Sequence, residues 1–200
     1  PKDLLNDISL KSKISPKTNT TSINITDDFS SLLKSDIDVI VESTGNPEVG
    51  AYNAYQAIQS EKHLIMVNVE ADVLVGPILN KLAHSKNVVY SLAFGDQPAL
   101  IEELYDWALS TGFEVVTAGK GTKYLPEYRK AKPDDAYRRY GYSQNEFEKN
   151  KLNPKMYNSF LDGTKSAVEM CSVANMTGMI PDVPGMHFPP ASINDIPSIL

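Results

Sequence analysis

Hydrophobic positions in the first 120 residues gather into short continuous runs, each followed by an amphipathic stretch. Residues 37–41 (IDVIV), 64–67 (LIMV), 88–92 (VVYSL) and 113–117 (FEVVT) are such runs, and 22–25 (SINI) is a shorter one. β-Branched and aromatic residues dominate them, which predicts strands; their unbroken apolarity predicts burial on both faces of a sheet. Helices are predicted between them. One is capped by Asp27 or Asp28 and runs to Leu33, and one covers 47–60, with Asn46 as cap and Pro47 at the first helical position. Two more cover 76–85 and 98–110. Strand starts recur about every 25 residues, and this alternation predicts a parallel sheet with right-handed crossover helices.

After Gly119 the pattern changes. Residues 120–150 are dense in Tyr, Lys and Arg and broken by Pro126, Pro133 and Gly141, which predicts an ordered loop with short helices. A helix follows from about Met156 and stops at Gly178, ahead of a tail containing Pro181, Pro184, Pro189 and Pro190. At 3.6 residues per turn it carries Asn158, Asp162, Lys165, Glu169 and Ser172 on one narrow stripe, hemmed by Phe160, Leu161, Ala167, Val168, Met170, Cys171 and Ala174. Two carboxylates and an ammonium within three turns can be aimed into a cleft. Gly163 offers another reading: a glycine inside a helix costs about 1 kcal/mol, so the helix can start there with Asp162 as its cap, leaving Lys165 and Glu169 as an i,i+4 surface pair.

Composition narrows the class. A net charge of −6 provides no basic field for nucleic acid or an anionic membrane, and no apolar run approaches the roughly 18–20 residues of a membrane helix. The lone Cys171 excludes a disulfide framework and a cysteine-rich metal site. The sequons at Asn19, Asn24 and Asn175, with no signal peptide, read as chance. A soluble, cytoplasmic protein is expected. The chain opens on PKDLLNDISL and stops at NDIPSIL, and we read it as a piece of something longer.

Candidate chemistry falls at the carboxyl ends of the strands, where open α/β sheets bind ligands. The first such end is Glu42-Ser43-Thr44-Gly45-Asn46-Pro47; the second is Asn68-Val69-Glu70-Ala71-Asp72; the third is Gly95-Asp96-Gln97-Pro98. Each is either a ligand-facing turn or a helix cap. The last run ends in Gly119-Lys120-Gly121-Thr122-Lys123. It lacks the glycine spacing of a P-loop, but Lys120 or Lys123 can bind an anion or act as an acid, unless both are ordinary solvated loop lysines. The fingerprint G-x-G-x-x-G is absent, so in a dinucleotide fold its unit would precede residue 1.

Five motifs in order, VESTGNPEVGAYNAYQAI, HLIMVNVEADVLVGPIL, GDQPALI, AGKGTKYLPEY and NPKMYNSFLDGTKSAVEMCSVANMTGM, resemble the predicted homoserine-dehydrogenase-like oxidoreductases. The subgroup is the one with a deoxyxylulose-phosphate-reductoisomerase-like catalytic domain, often linked to a SAF-type domain. The likeness runs from about Asp36 to Leu200. It implies an α/β protein with a partial Rossmann-type domain (1–94) followed by an α+β catalytic and dimerisation domain (95–200). It implies NADP(H) or NAD(H) as cofactor, a small carbonyl substrate and a homo-oligomer. Ser43, Thr44, Gly45, Asn68 and Glu70 would lie on the cofactor side, and Asp96, Gln97 and Asn158 beside the substrate. Lys165, Asp162, Glu169, Lys123 and Lys120 would be catalytic. A lysine, Lys165 or Lys123, would stabilise the developing alkoxide, while Asp162 and Glu169 orient it, bind substrate or share a divalent cation. Homoserine dehydrogenases proper place an aspartate and a lysine four apart on a helix; here Asp162 and Lys165 are three apart. A non-redox α/β lyase or isomerase could use the same strand ends, and an idle binding or regulatory module could keep the same fold.

Overall fold

A computed structural model describes residues 26–199; the run at 22–25 lies outside them. Asp28 caps a short helix, α1 (Phe29–Lys34), its carboxylate accepting from the Ser30 amide. Three parallel strands follow, β1 (Val39–Glu42), β2 (His63–Met66) and β3 (Tyr90–Leu92), in the order β1-β2-β3. Ile40 pairs with Leu64, and Leu64 with Tyr90. Consecutive parallel neighbours require a crossover each time. These are α2 (Pro47–Gln59), with Asn46 as cap and Pro47 at its start, and α3 (Val69–Ser85). A further helix, α4 (Gln97–Ser110), is capped by Asp96. This α/β arrangement is compatible with part of a Rossmann-type sheet.

The core lies between the sheet and the pair α2–α3. Ile40, Leu64 and Met66 point into it and meet Ala54, Ala57, Ile58, Ala71, Leu79 and Ala83. Alanines on both helices let the backbones approach the strands closely. The opposite face of the sheet departs from expectation. Val39 and Val41 are about half exposed, at 48% and 56%, so among the described residues β1 is covered on one face only. An apolar run records that both faces are apolar, not that each has a neighbour.

Two further expectations are corrected. The run at 113–117 forms no strand: Phe113 and Val116 are exposed, and the segment pairs with none of the three described strands. Local β-propensity alone does not make a strand: among the described residues β3 pairs only with β2, yet this segment does not add to its outer edge. The helix expected at 76–85 begins seven residues earlier, because Asn68 accepts from the Ala71 amide and caps it there.

The segment after α4 is an ordered run of short pieces: 3-10 turns at Pro126–Lys130 and Pro133–Asp135, then α5 (Ala136–Arg139) and α6 (Gln144–Lys149). A capping box between Ser143 and Glu146 starts α6. Its packing is aromatic. Tyr157 lies edge-on to Tyr140, Tyr142, Phe147 and Phe160 at centroid distances of 4.9–6.5 Å.

The helix expected from about Met156 is two helices, α7 (Pro154–Leu161) and α8 (Thr164–Thr177). Gly163 is the joint. Its φ of +87° belongs to the left-handed region that glycine tolerates best, and Tyr124 and Phe188 stack across it with ring centroids 4.3 Å apart. Gly178, at φ +75°, ends α8 as expected. The burial on α8 agrees with a polar stripe aimed inward and departs from expectation at Cys171. Its buried residues are Ser166, Glu169, Met170, Ser172 and Val173, whereas Cys171, expected on the apolar face, is exposed. The helix packs its polar stripe inward, against α3 and α4.

Candidate active site

The inward stripe of α8 meets the first turn of α3, just past the carboxyl end of β2. Lys165 Nζ lies 3.1 Å from Glu70 Oε1 and 3.9 Å from Glu169 Oε1. The other oxygen of Glu169 is taken by the Lys120 ammonium, which arrives from the segment after α4. The charges therefore alternate, Lys120–Glu169–Lys165–Glu70, and sum to zero. Exposure grades along the chain: the Glu169 side chain is 3% exposed, Lys120 16%, Lys165 19% and Glu70 41%. A buried carboxylate without a cation would be strongly destabilising, and here each oxygen of Glu169 faces one. Glu70 gains a second favourable term from the positive end of the α3 dipole.

An ammonium has three N–H donors and no acceptor. Glu70 accepts one of those from Lys165 at 3.1 Å, and Glu169 at 3.9 Å attracts the ammonium by charge without a hydrogen bond, which leaves donors for a further group at the wetter end of the network. Such an arrangement can present a fixed positive charge to an oxygen gaining negative charge.

The other expected residues divide between two places. Asp162 and Asn158 meet each other rather than Lys165: Asn158 Nδ2 donates to Asp162 Oδ2 at 2.8 Å and lies 3.2 Å from the Ala131 carbonyl, while Asp162 Oδ1 accepts from the Thr164 amide at 2.8 Å. They brace the α7–α8 joint. Lys123 is exposed and takes no part in the charged network. Asp96 caps α4 through the Gln97 amide, and Gln97 is exposed.

At the end of β1, Thr44 donates its amide to Glu42 Oε1 at 3.1 Å, and Gly45 turns the chain at φ +69°. Asn68 is buried and bonded at both side-chain ends: Oδ1 caps α3, and Nδ2 donates to the Asn46 carbonyl at 2.9 Å, tying the two strand-end turns together. Glu42, which heads the first strand-end stretch but carries no expected role, is 2% exposed and shares its strand face with Ile40 two positions earlier, a signal of inward direction. Its Oε2 has no hydrogen-bond partner among the described residues. It sits by Gly50, where a Cβ would come within 2.9 Å of it and within 2.6 Å of Asn68 Nδ2.

Two recesses flank these groups. One of about 260 Å³ is lined by Glu42, Ser43, Thr44 and Asn53, with Phe29 and Ile40 behind them. The larger, about 490 Å³, runs along the neighbouring side of α8 between Arg129, Tyr124, Phe188 and Cys171. It includes Asp162 but not Lys120, Lys165 or Glu169, so this recess is offset from the charged network. Among the described residues no group of three or more His, Cys, Asp or Glu side chains is placed to hold a metal ion, and Asp162 and Glu169, for which a shared cation is one of three alternatives, have separate partners. No described helix is long and apolar enough to cross a membrane.

The family profile "Oxidoreductase DRL, catalytic domain" matches residues 95–200, just over half of the chain. The chain belongs to the oxidoreductase DRL catalytic-domain family. The match contains Lys120, Lys165 and Glu169, while their partner Glu70 lies ahead of it. No curated protein matches the chain. The DRL assignment makes an oxidoreductase role the frame for the charged network.

Proposed function

We propose that this chain serves NAD(P)-dependent reduction of a small carbonyl substrate by homoserine-dehydrogenase-like chemistry, with Lys165 as the group that receives the developing alkoxide. The observation carrying this reading is the Lys165 ammonium held between Glu70 and Glu169 at the carboxyl edge of the sheet. A hydride acceptor needs its carbonyl oxygen stabilised as the negative charge forms, and a preorganised cation does that without reorganisation. Glu169, itself paired with Lys120, stands on the inner side of the Lys165 ammonium, and Glu70 on the outer side near the strand turns. Reduction coupled to isomerisation of a phosphosugar would use the same lysine on the same alkoxide.

The nicotinamide end of a dinucleotide fits the residues at the β1 turn. Glu42 carries a buried oxygen without a partner, and Ser43 and Thr44 line the adjoining recess; hydroxyl and amide donors suit this set. The diphosphate does not fit there. The α2 terminus begins with Pro47, which has no N–H, its Val49 amide is spent on Asn46, and Glu48 adds a negative charge. A bound nicotinamide would supply the hydride. Ser43, Thr44, Gly45 and Asn68 would shape its seat, and Glu70 would link that seat to Lys165.

The same reading takes residues 95–200 as a catalytic and dimerisation domain of a cytoplasmic homo-oligomer. Exposed Leu104, Trp107 and Phe113, on and just beyond α4, support it.

The test is an NADPH-oxidation assay on the purified protein with aspartate semialdehyde and with deoxyxylulose phosphate. Turnover of one of them is expected. Lys165→Ala should lower that turnover about 100-fold, or about 2.7 kcal/mol of barrier. Near-normal turnover in the variant sinks the assignment of Lys165. Unchanged intrinsic NADPH fluorescence on adding wild-type protein sinks the cofactor reading.

A further inference from the structure

The motif VGPIL within α3 places a glycine and a proline side by side in the middle of a helix, at Gly76 and Pro77. Both are poor helix residues, costing roughly 1 and 3 kcal/mol against alanine. Pro77 is answered by a contact from α8, and Gly76 by the Asp72 carboxylate and the Tyr90 hydroxyl of β3.

Pro77 has no N–H, so the carbonyl four residues earlier, that of Val73, lacks its helical donor. The Asn175 side chain of α8 supplies one, with Nδ2 at 3.2 Å. Gly76 makes room for a second contact. A Cβ there would collide with Asp72 Oδ1 and lie 3.3 Å from the Tyr90 hydroxyl. In the space it leaves, the buried Asp72 carboxylate accepts two hydroxyls, Tyr90 from β3 at 2.7 Å and Ser172 from α8 at 2.7 Å. Burial first, then the charge and hydrogen bond of Asp72, pushes the Tyr90 hydroxyl far above its ordinary range, so it remains a donor. Ser172 is fully enclosed.

These contacts form a seam. Residues 70, 72 and 73 of α3 meet 165, 172 and 175 of α8, in that order along both helices. Ser172 is one helical turn from Glu169 and two from Lys165. We propose that Asp72, Ser172 and Tyr90, in the space left by Gly76, are positioning residues that fix the register of α8 so that the Lys165 ammonium stands between Glu70 and Glu169. This rests on the reading of Lys165 given above. None of the three needs to touch substrate. Two short hydrogen bonds to one carboxylate, from two different elements, hold the helix along its axis more sharply than apolar packing, which tolerates sliding.

A double-mutant cycle on turnover separates positioning from bulk stability. The assay is NADPH oxidation with whichever of aspartate semialdehyde and deoxyxylulose phosphate is turned over. Ser172→Ala is expected to lower kcat about tenfold and to change the KM for NADPH less than twofold. In a Lys165→Ala background the same change is expected to alter kcat less than twofold, because the group it positions is gone. A tenfold loss in both backgrounds, or no loss in either, overturns the proposal while leaving the role of Lys165 standing. Normal turnover by Lys165→Ala alone instead overturns the reading beneath it, and this proposal with it. Tyr90→Phe, which keeps the ring and removes only the hydroxyl, repeats the cycle should Ser172→Ala fail to fold.

Discussion

The two halves of the molecule use burial differently. Between the sheet and the α2–α3 pair, the enclosed side chains are aliphatic: Ile40, Ile58, Leu64, Met66 and Leu79 among small alanines. Along α8 the enclosed set is mixed, with Ser166, Glu169 and Ser172 beside Met170 and Val173. An aliphatic core is held by area and volume, terms that are large but indifferent to direction. A buried polar seam contributes less net free energy per contact, yet each contact has a fixed partner and a fixed angle. The first half supplies stability; the second spends some of it on holding charges at chosen points.

The sharpest way to break this comparison is to damage the aliphatic half. Leu64 is fully buried on the central strand. Leu64→Ala should cost about 3 kcal/mol in stability, from lost transfer energy plus a cavity, read as a lower midpoint in urea unfolding. Turnover per folded molecule should stay within about twofold of wild type, since Leu64 touches none of the charged groups. A loss of turnover matching that of Lys165→Ala would show that the halves are not separable.

A smaller effect is expected in the polar half, where the partner matters more than the volume. Lys120→Met removes one cation from Glu169 and leaves Lys165, at 3.9 Å, as the other. Breaking a buried pair on one side commonly costs about 3–5 kcal/mol; with Lys165 still present, about 2 kcal/mol is the expected loss. Adding Glu169→Gln should restore part of that stability, because the uncompensated charge has gone. If the second change only deepens the loss, Glu169 is held by packing and not by its charges.

These contrasts also mark what the chain discloses locally. The three paired strands, the Asn46–Pro47 start of α2 and the glycine stop of α8 are legible because each depends on side chains within a few positions. The break at Gly163 was legible for the same reason. The run at 113–117 misleads because a strand exists only where its backbone pairs with a neighbour, and Val39 and Val41 mislead because covering a face needs another element; neither is a property of the segment. At the candidate site, the Lys165–Glu169 spacing is readable on a helix. Glu70 stands 95 residues from Lys165 and Asp72 stands 100 from Ser172, so those pairings are set by how α8 docks. Asn158 and Asp162 are i,i+4 neighbours on α7 and its C-cap and bond to each other there, while the left-handed joint at Gly163 sets them apart from Lys165 and Glu169 on α8.

The finest distinction within the polar layer is between a buried carboxylate that has partners and a half-buried one whose enclosed oxygen has none among the described residues. Glu169 has two lysines. Glu102, on α4, has an enclosed Oε2 with no partner, and burial first, then the charge of Asp106, raises its carboxyl above the ordinary range. The folded state therefore holds that proton more tightly than the unfolded chain does. Its stabilising contribution is fully present below the unfolded value and is lost as pH rises through the folded one. Glu102→Gln removes the loss, so the variant should match wild type at acid pH and be more stable at neutral pH. Because the side chain keeps some contact with water, the gain should be below about 1 kcal/mol, visible as a small rise in unfolding temperature at pH 7 that disappears at the acid end of a pH series. An equal gain at both ends would mean that the amide simply packs better, and that the missing partner of Glu102 carries no charge penalty.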